Sequence, residues 1–318
     1  MKAGFIGYGL IGKKRHEACK LNKIDTSFVV DPLLETNLSK GFFNSVDDIP
    51  KRIINETSHT FISLPHNLVY PTFLKIMANA KNILIEKPLG ISFEEAKKIH
   101  NLARENNINL AGGFNYRYLK NIKKLKELLD EGFFGSILSV EMHLSHGGRP
   151  AMEKEWKLSK KDAGGGVVID PGVHLIDLCF YLFNKDLSLE YKSLSTKFWE
   201  TDVEDRCLLL LSGGGTDFCL SVNLFDWKNL FEIKIYGNEG TAKLRGRGGN
   251  YGDLEIEYCK KWFWQSGDSV EILNFSSNDD SFENETHDFL YNFNNKDLSK
   301  SDDSLRVMKI VSDIYEKD

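Results

Sequence analysis

The sequence predicts an α/β protein in two parts: a doubly wound parallel sheet, then an α+β region built on antiparallel strands. Three observations predict it. Up to about residue 112, short β-rich runs alternate with helical patterns, as strands joined by crossover helices require. Beyond residue 118 that alternation stops, and strands follow one another with little helix between them. The run "AGFIGYGLIG" places Gly7, Gly9 and Gly12 directly after a strand and at the opening of a helix.

In order, the strands of the first part are expected at 3–7, 27–30, 60–64, 82–86 and 108–112, with helices near 10–22, 68–80 and 93–106. The last helix opens on Ser92 with Glu95 three residues on, the pattern of a capping box. In the second part a helix near 119–131 leads to the alternating strand "SILSVEMHLSH" and to a polar-striped helix. Strands are then expected at 187–199, 206–211, 216–224, 230–236, 241–245, 253–259 and 269–275. The patterns "ETHDFLYNF" and "SLRVMKIVSDIY" close the chain as helices, with "NNKDLSKSDD" between them reading as a surface loop. The boundary falls near residue 118, giving domains 1–118 and 119–318.

The chain has 318 residues, 41% hydrophobic and 27% charged, the balance of an ordinary globular protein. Its net charge of -5, with no basic run interleaved with aromatics, excludes a nucleic-acid partner. Five dispersed cysteines imply reduced thiols in a cytoplasmic setting. The opening "MKAGFIG" lacks the regions of a secretory signal and no unbroken apolar run approaches about 18 residues, so neither export nor a membrane association is expected.

Gly7, Gly9 and Gly12 have distinct uses in a dinucleotide loop: the tight turn, the close approach of a pyrophosphate, and close packing of helix on strand. The N–H groups at the helix start, about Leu10 and Ile11, would face phosphate oxygens. An acidic residue is expected about 20 residues on to hold the adenosine ribose, and Asp31 stands nineteen after Gly12. Its carboxylate would repel a 2′-phosphate, which favours NAD over NADP. Lys13, Lys14 and Arg15 read as a solvated helix face.

In "GGGVVIDPGVHLIDLCFYLF" the polar residues Asp170, His174, Asp177 and Tyr181 are spaced 4, 3 and 4 apart, which puts them on one face of a helix. Pro171 places the start of that helix between about 168 and 171. The stripe lacks Lys, Arg and Glu, unlike a solvated face of this chain, and His beside a carboxylate suits proton transfer. His143 and His146 lie three apart on a strand and face opposite sides, so no metal pair is expected. "HGGRPAMEKEW" reads either as a surface loop or as a substrate loop in which Arg149 meets an anion and Trp156 stacks on a sugar.

A strand ending in Glu86-Lys87-Pro88, downstream of the glycine pattern and upstream of "GGGVVIDPGVHLID", resembles the glucose-fructose oxidoreductase and inositol dehydrogenase (Gfo/Idh/MocA) family of NAD(P)-dependent oxidoreductases. "SLPHNLVYP", "GFNYRY" and "SLRVMKIVSDIY" extend the resemblance over nearly the whole chain. It implies an N-terminal Rossmann domain holding NAD(P) and a second domain with an open, mostly antiparallel sheet. Carried over to matching positions, it implies Lys87, Asp170 and His174 as the catalytic group, with Asp177 in a less certain, structural place. It adds Leu64, Pro65, His66, Glu86, Lys87 and Asn115 to the cofactor contacts, and sets Lys87, Arg117, Tyr118, Asp170 and His174 beside the substrate. A cis Lys87-Pro88 bond would fix the lysine's direction. The activity implied is hydride transfer between NAD and a secondary hydroxyl of a sugar, cyclitol or nucleotide-linked sugar, in a homodimer or homotetramer paired through the outer face of the second sheet. An NAD-dependent glycosidase and a non-catalytic dinucleotide-binding regulator remain the alternatives.

Overall fold

Six parallel strands form the first sheet: β1 (Lys2–Ile6), β2 (Asp25–Val30), β3 (Phe42–Phe43), β4 (His59–Ile62), β5 (Asn82–Glu86) and β6 (Asn109–Gly113), in the order β3-β2-β1-β4-β5-β6. The computed structural model describes residues 1–34, 41–261, 270–276 and 278–316. The crossovers are α1 (Leu10–Leu21), α2 (Lys51–Glu56), α3 (His66–Ile76) and α4 (Phe93–Glu105). Ile83, Leu84 and Ile85 are each fully buried, as a strand covered on both faces requires. Strand order reverses between β1 and β4, the switch point at which open α/β sheets bind ligands. The two-residue β3 and six-residue α2 were too short to leave a periodic signal in the sequence. Ser92 Oγ accepts the Glu95 N–H at 3.3 Å, while the Glu95 carboxylate reaches back to the N–H of Ile91 instead of Ser92, so the expected capping box is only half formed.

The core of this unit gathers Phe5, Cys19, Val29, Phe61 and Leu84 with Phe289, Leu290 and Leu298. The stretch 294–303 is therefore not the surface loop expected: Leu298 and Ser299 are fully buried, the Ser299 carbonyl accepts the Gly112 N–H, and Ala111 bridges Lys300. This segment covers the β6 edge, whose unpaired backbone groups would otherwise be open to another chain.

The chain divides into two compact units, Met1–Asn115 with Lys161–Gly164 and Ser281–Lys309, and Tyr116–Lys160 with Gly165–Asp280 and Ile310–Asp318. A single cut near 118 assigns all later residues to the second domain; the contacts instead return α8 (Ser281–Tyr291) to the first.

The second unit contains α5 (Lys120–Asp130), β7 (Ile137–Ser145), α7 (Val173–Phe183), β8 (Ser188–Ser195), β9 (Arg206–Gly213), β10 (Thr216–Asn223), β11 (Leu230–Gly237), β12 (Gly240–Arg245), β13 (Leu254–Lys260) and β14 (Glu271–Phe275). The short helix α6 (Lys160–Ala163) precedes α7, and α9 (Ser301–Glu316) closes the described chain. The eight strands run β14-β13-β12-β11-β7-β10-β9-β8 and are antiparallel apart from β7 beside β10. Residue 269 of the last expected strand lies outside the described residues. Alternation is regular: Val140, Met142 and Leu144 of β7 face Phe218, Leu220, Val222, Phe231, Ile233 and Ile235 in the core. By mean hydropathy Lys160–Phe183 is long and apolar enough to cross a membrane, although the sequence reading saw no such run; 83% of the scored window is buried inside the protein, as for a core helix.

The striped helix begins later than expected. Residues 168–172 form a wide turn, Asp170 is extended with φ -144° and ψ 102°, and regular helix starts at Val173. Asp170 is thus outside the helix that carries His174, Asp177 and Tyr181. Among the described residues two peptide bonds are cis, Lys87-Pro88 and Asp170-Pro171.

Candidate functional site

In the first unit the glycine loop follows β1 at the switch point. Gly7 has φ +86°, and a Cβ on it would lie 2.1 Å from the Ser63 carbonyl; one on Gly12 would lie 2.0 Å from the Gly7 carbonyl. Gly9 differs: a Cβ there meets nothing within 4 Å. The start of α1 has no side-chain cap, so its first N–H groups, at Leu10 and Ile11, are left without one beside the open space at Gly9. Ser63, at the end of β4, adds a buried hydroxyl oxygen with no protein partner among the described residues, a feature that single-sequence patterns do not flag. These groups fit a dinucleotide pyrophosphate, whose oxygens would take the uncapped N–H groups. Asp31 follows β2; its carboxylate accepts the Tyr8 N–H at 2.8 Å and the Leu33 N–H at 3.0 Å. It therefore braces the glycine loop.

Arg15 corrects the reading of a solvated basic face. Lys13 and Lys14 are exposed, but Arg15 is fully buried. Its Nε donates to Glu86 at 2.7 Å, one terminal nitrogen to Glu285 at 2.5 Å and the other to Thr286 at 3.2 Å. Burial alone would lower its pKa; Glu285 and Glu86 more than offset this and hold it above the ordinary value. The Glu86 carboxylate thus anchors Arg15. Lys87, the next residue, is half-buried. Leu64 and Pro65 lead into α3, and the His66 Nδ1–H donates to the Ala163 carbonyl at 2.8 Å, which fixes the ring. Asn115 is buried and donates to Ser281 Oγ at 2.7 Å.

In the second unit the stripe on α7 is matched by the turn at 115–118. The His174 ring stacks on Tyr116, with centroids 3.8 Å apart and planes at 5°. Asp177 accepts both Arg117 Nε at 2.8 Å and a terminal nitrogen at 2.6 Å, a bidentate pair almost wholly out of water. The Arg117 guanidinium lies 5.1 Å from the Tyr181 ring. On this buried helix Asp177 and Tyr181 are thus met by protein instead of solvent, while His174 Nδ1 is buried without a hydrogen-bond acceptor or donor among the described residues. Arg117 is 1% exposed with its guanidinium bound by Asp177, and Tyr118 is buried with Lys123 over its ring.

The Asp170 carboxylate accepts from Lys157 Nζ at 2.6 Å. Sequence patterns did not single out Lys157, thirteen residues earlier in a loop. The Asp170 charge raises the Lys157 pKa above its ordinary value against the opposing effect of burial. His146 lies in the field of Asp170, Lys157, Arg247 and Arg149, and burial foremost pushes it down to about 4. Arg149 pairs with Glu155 through both carboxylate oxygens, while Trp156 has Lys157 5.9 Å from its ring. Arg149 is therefore supplied with a partner by its own loop.

Residues 1–114 match the family described as "Oxidoreductase family, NAD-binding Rossmann fold", and residues 122–243 match the "GFO/IDH/MocA C-terminal domain". The chain is 31% identical over 203 residues to glucose-6-phosphate 3-dehydrogenase of Bacillus subtilis (strain 168), covering 59% of this chain and 55% of that protein, so the match spans about half of that relative. It is 27% identical over 256 residues to the rhizopine catabolism protein MocA of Rhizobium meliloti, covering 77% of this chain and 78% of that one. A solved levoglucosan dehydrogenase in complex with NADH superposes with TM-score 0.82 at 19% identity, over 99% of this chain and 96% of that one, a likeness of fold. Glycine loop, sheet order and both domain matches agree: the chain belongs to the GFO/IDH/MocA family of oxidoreductases with an NAD-binding Rossmann fold.

Proposed function

We propose that this protein is an NAD-dependent dehydrogenase oxidising a secondary hydroxyl of a sugar or polyol. The observation that carries the reading is the open start of α1, with uncapped N–H groups beside a Gly9 that has free space around it and Asp31 at the next strand end. Names of relatives point the same way, since one is a glucose-6-phosphate 3-dehydrogenase and one neighbour a levoglucosan dehydrogenase. Bound NAD supplies an acceptor for the hydride of the carbinol carbon. His174 takes the hydroxyl proton, its neutral ring held flat by Tyr116. Asp170, held by Lys157, supports the imidazolium that results, and Lys87 stabilises negative charge developing on the substrate oxygen. Leu64, Pro65, His66 and Asn115 complete the proposed cofactor contacts, and Trp156 a sugar contact. NAD is favoured over NADP through the Asp31 charge.

Self-association through the second sheet belongs to the same reading, supported by the exposed Tyr191, Leu210 and Tyr236; a monomer by light scattering would contradict it. A reducing, cytoplasmic setting is supported by five free thiols, of which Cys19 and Cys207 are pushed by burial up to about 12.

The test is NADH formation over a panel of sugars and polyols, with glycoside cleavage followed in parallel. His174→Ala should keep NAD affinity and lose about 100-fold or more in turnover. A folded, fully active His174→Ala would refute the assignment. Cleavage of glycosides without net NADH would favour the glycosidase.

A further inference from the structure

We propose that Arg247 binds an anionic group, a phosphate or a carboxylate, on the substrate whose reacting hydroxyl is served by Asp170 and His174. The proposal rests on the dehydrogenase reading and names its substrate class.

Arg247 follows β12 and stands in the same unit as Asp170 and His174. Its guanidinium lies 3.8 Å from the Tyr251 ring centroid and 5.1 Å from that of Tyr116. Tyr116 is the ring on which His174 stacks at 3.8 Å. Laid end to end, the two spans through Tyr116 place the guanidinium within about 9 Å of the imidazole. That separation is within the length of one hexose carrying a terminal anionic group, which would have to pass the edge of the Tyr116 ring to meet both.

Charge balance singles out this arginine. Of the cations whose fields converge on His146, Lys157 is paired with Asp170 and Arg149 with Glu155. Among the described residues Arg247 has no ion pair, and its Nε is buried without an acceptor. Tyr116 cannot neutralise it, because burial pushes that phenol up and keeps it protonated. Arg247 hydrogen-bonds the Tyr251 side chain and lies in the field of Asp279. No carboxylate among the described residues is in contact with it, so a half-buried guanidinium is left with donor capacity for an anion. A ligand oxyanion would supply the missing charge through paired N–H donors, the geometry in which guanidinium exceeds ammonium. Stacking between two tyrosines holds the group ready for it.

The test compares a neutral hexose, its terminal phosphate and its uronate with the full-length protein and NAD. The wild type should prefer one of the two anionic forms by about tenfold or more in kcat/KM; which one is preferred distinguishes phosphate from carboxylate. Arg247→Gln should collapse that ratio, and Arg247→Lys should keep part of it. Equal turnover of neutral and anionic sugars by the wild type would overturn the proposal. So would an equal loss on both in Arg247→Gln, the signature of a mere brace for Tyr116. Should no sugar be oxidised, the dehydrogenase reading fails by itself, and thermal shift decides on Arg247. Stabilisation by the sugar phosphate or uronate that disappears in Arg247→Gln and is partly kept in Arg247→Lys supports the anion site; no shift in the wild type overturns it.

Discussion

Lys157 and Asp170 form an ion pair at 2.6 Å, with the carboxylate side only 11% exposed. Its cost and its use are both local: Asp170 is extended, outside the helix, and held by a side chain from the preceding loop. Lys157→Met should lower kcat by about tenfold or more while KM for NAD stays within about twofold, and Lys157→Arg should restore most of the loss. An unchanged melting temperature in both variants separates positioning from folding. Failure of arginine to rescue would show that charge on Asp170 is not what Lys157 provides.

Arg117 and Asp177 make a second case, an ion pair at 2.6 Å that is almost wholly buried. Removing either partner leaves a charge stranded, so Arg117→Ala and Asp177→Ala should each cost about 3–5 kcal/mol. The double variant should cost less than the sum. Denaturant midpoints of the four proteins check this; additive losses would mean the pair is not coupled.

Asp31 governs the choice of dinucleotide. Asp31→Ser should narrow the preference for NAD over NADP, and adding Lys13→Ala with Lys14→Ala should then weaken NADP again. Arg15 is buried behind Glu86 and Glu285 and takes no part; Arg15→Met should lower stability without altering the ratio of the two affinities. A wild type that binds NADP more tightly in a fluorescence titration would reverse the assignment.

Acid should loosen the fold in a defined window. Burial pushes His59 from 6.5 down to about 4, and His146 likewise. Between those values the unfolded chain binds protons that the folded one refuses, so stability falls as pH drops from about 6.5 toward 4, by up to ~1.4 kcal/mol per pH unit for each ring. Urea midpoints across that range should slope accordingly, and His59→Gln should flatten the slope. An identical slope in the variant would remove His59 as a cause.

Local patterns carried most of this fold. Alternation marked the buried strands, and glycine spacing marked the loop between β1 and α1, because both are consequences of neighbours in sequence. Distance hid the rest. Arg15 reads as one of three solvated cations until Glu285, 270 residues later in the chain, is brought beside it. Arg117 shows no partner until α7 supplies Asp177. The 4-3-4 spacing at 170–181 was a true helical signal for His174, Asp177 and Tyr181, yet it ran on by accident through Asp170, where the wide turn at 168–172 breaks the helix. Leu298 looked like part of a polar loop because a single apolar residue leaves no periodicity to read.

Strand β7 carries none of this chemistry, but its position fixes how the second sheet is put together. β8 to β10 form one ladder of sequence neighbours and β11 to β14 another, and the two meet only across β7. Hairpins close early because their loops are short, whereas β7 and β10 must find each other across some seventy residues. Val140→Ala in β7 should therefore slow refolding more than Leu254→Ala in β13, although both side chains are buried; equal effects on refolding would argue against it. Assembly of this half of the molecule is then a docking of two ready-made ladders onto one strand, and the side chains of that strand are constrained by the rate of folding as much as by the stability of its product.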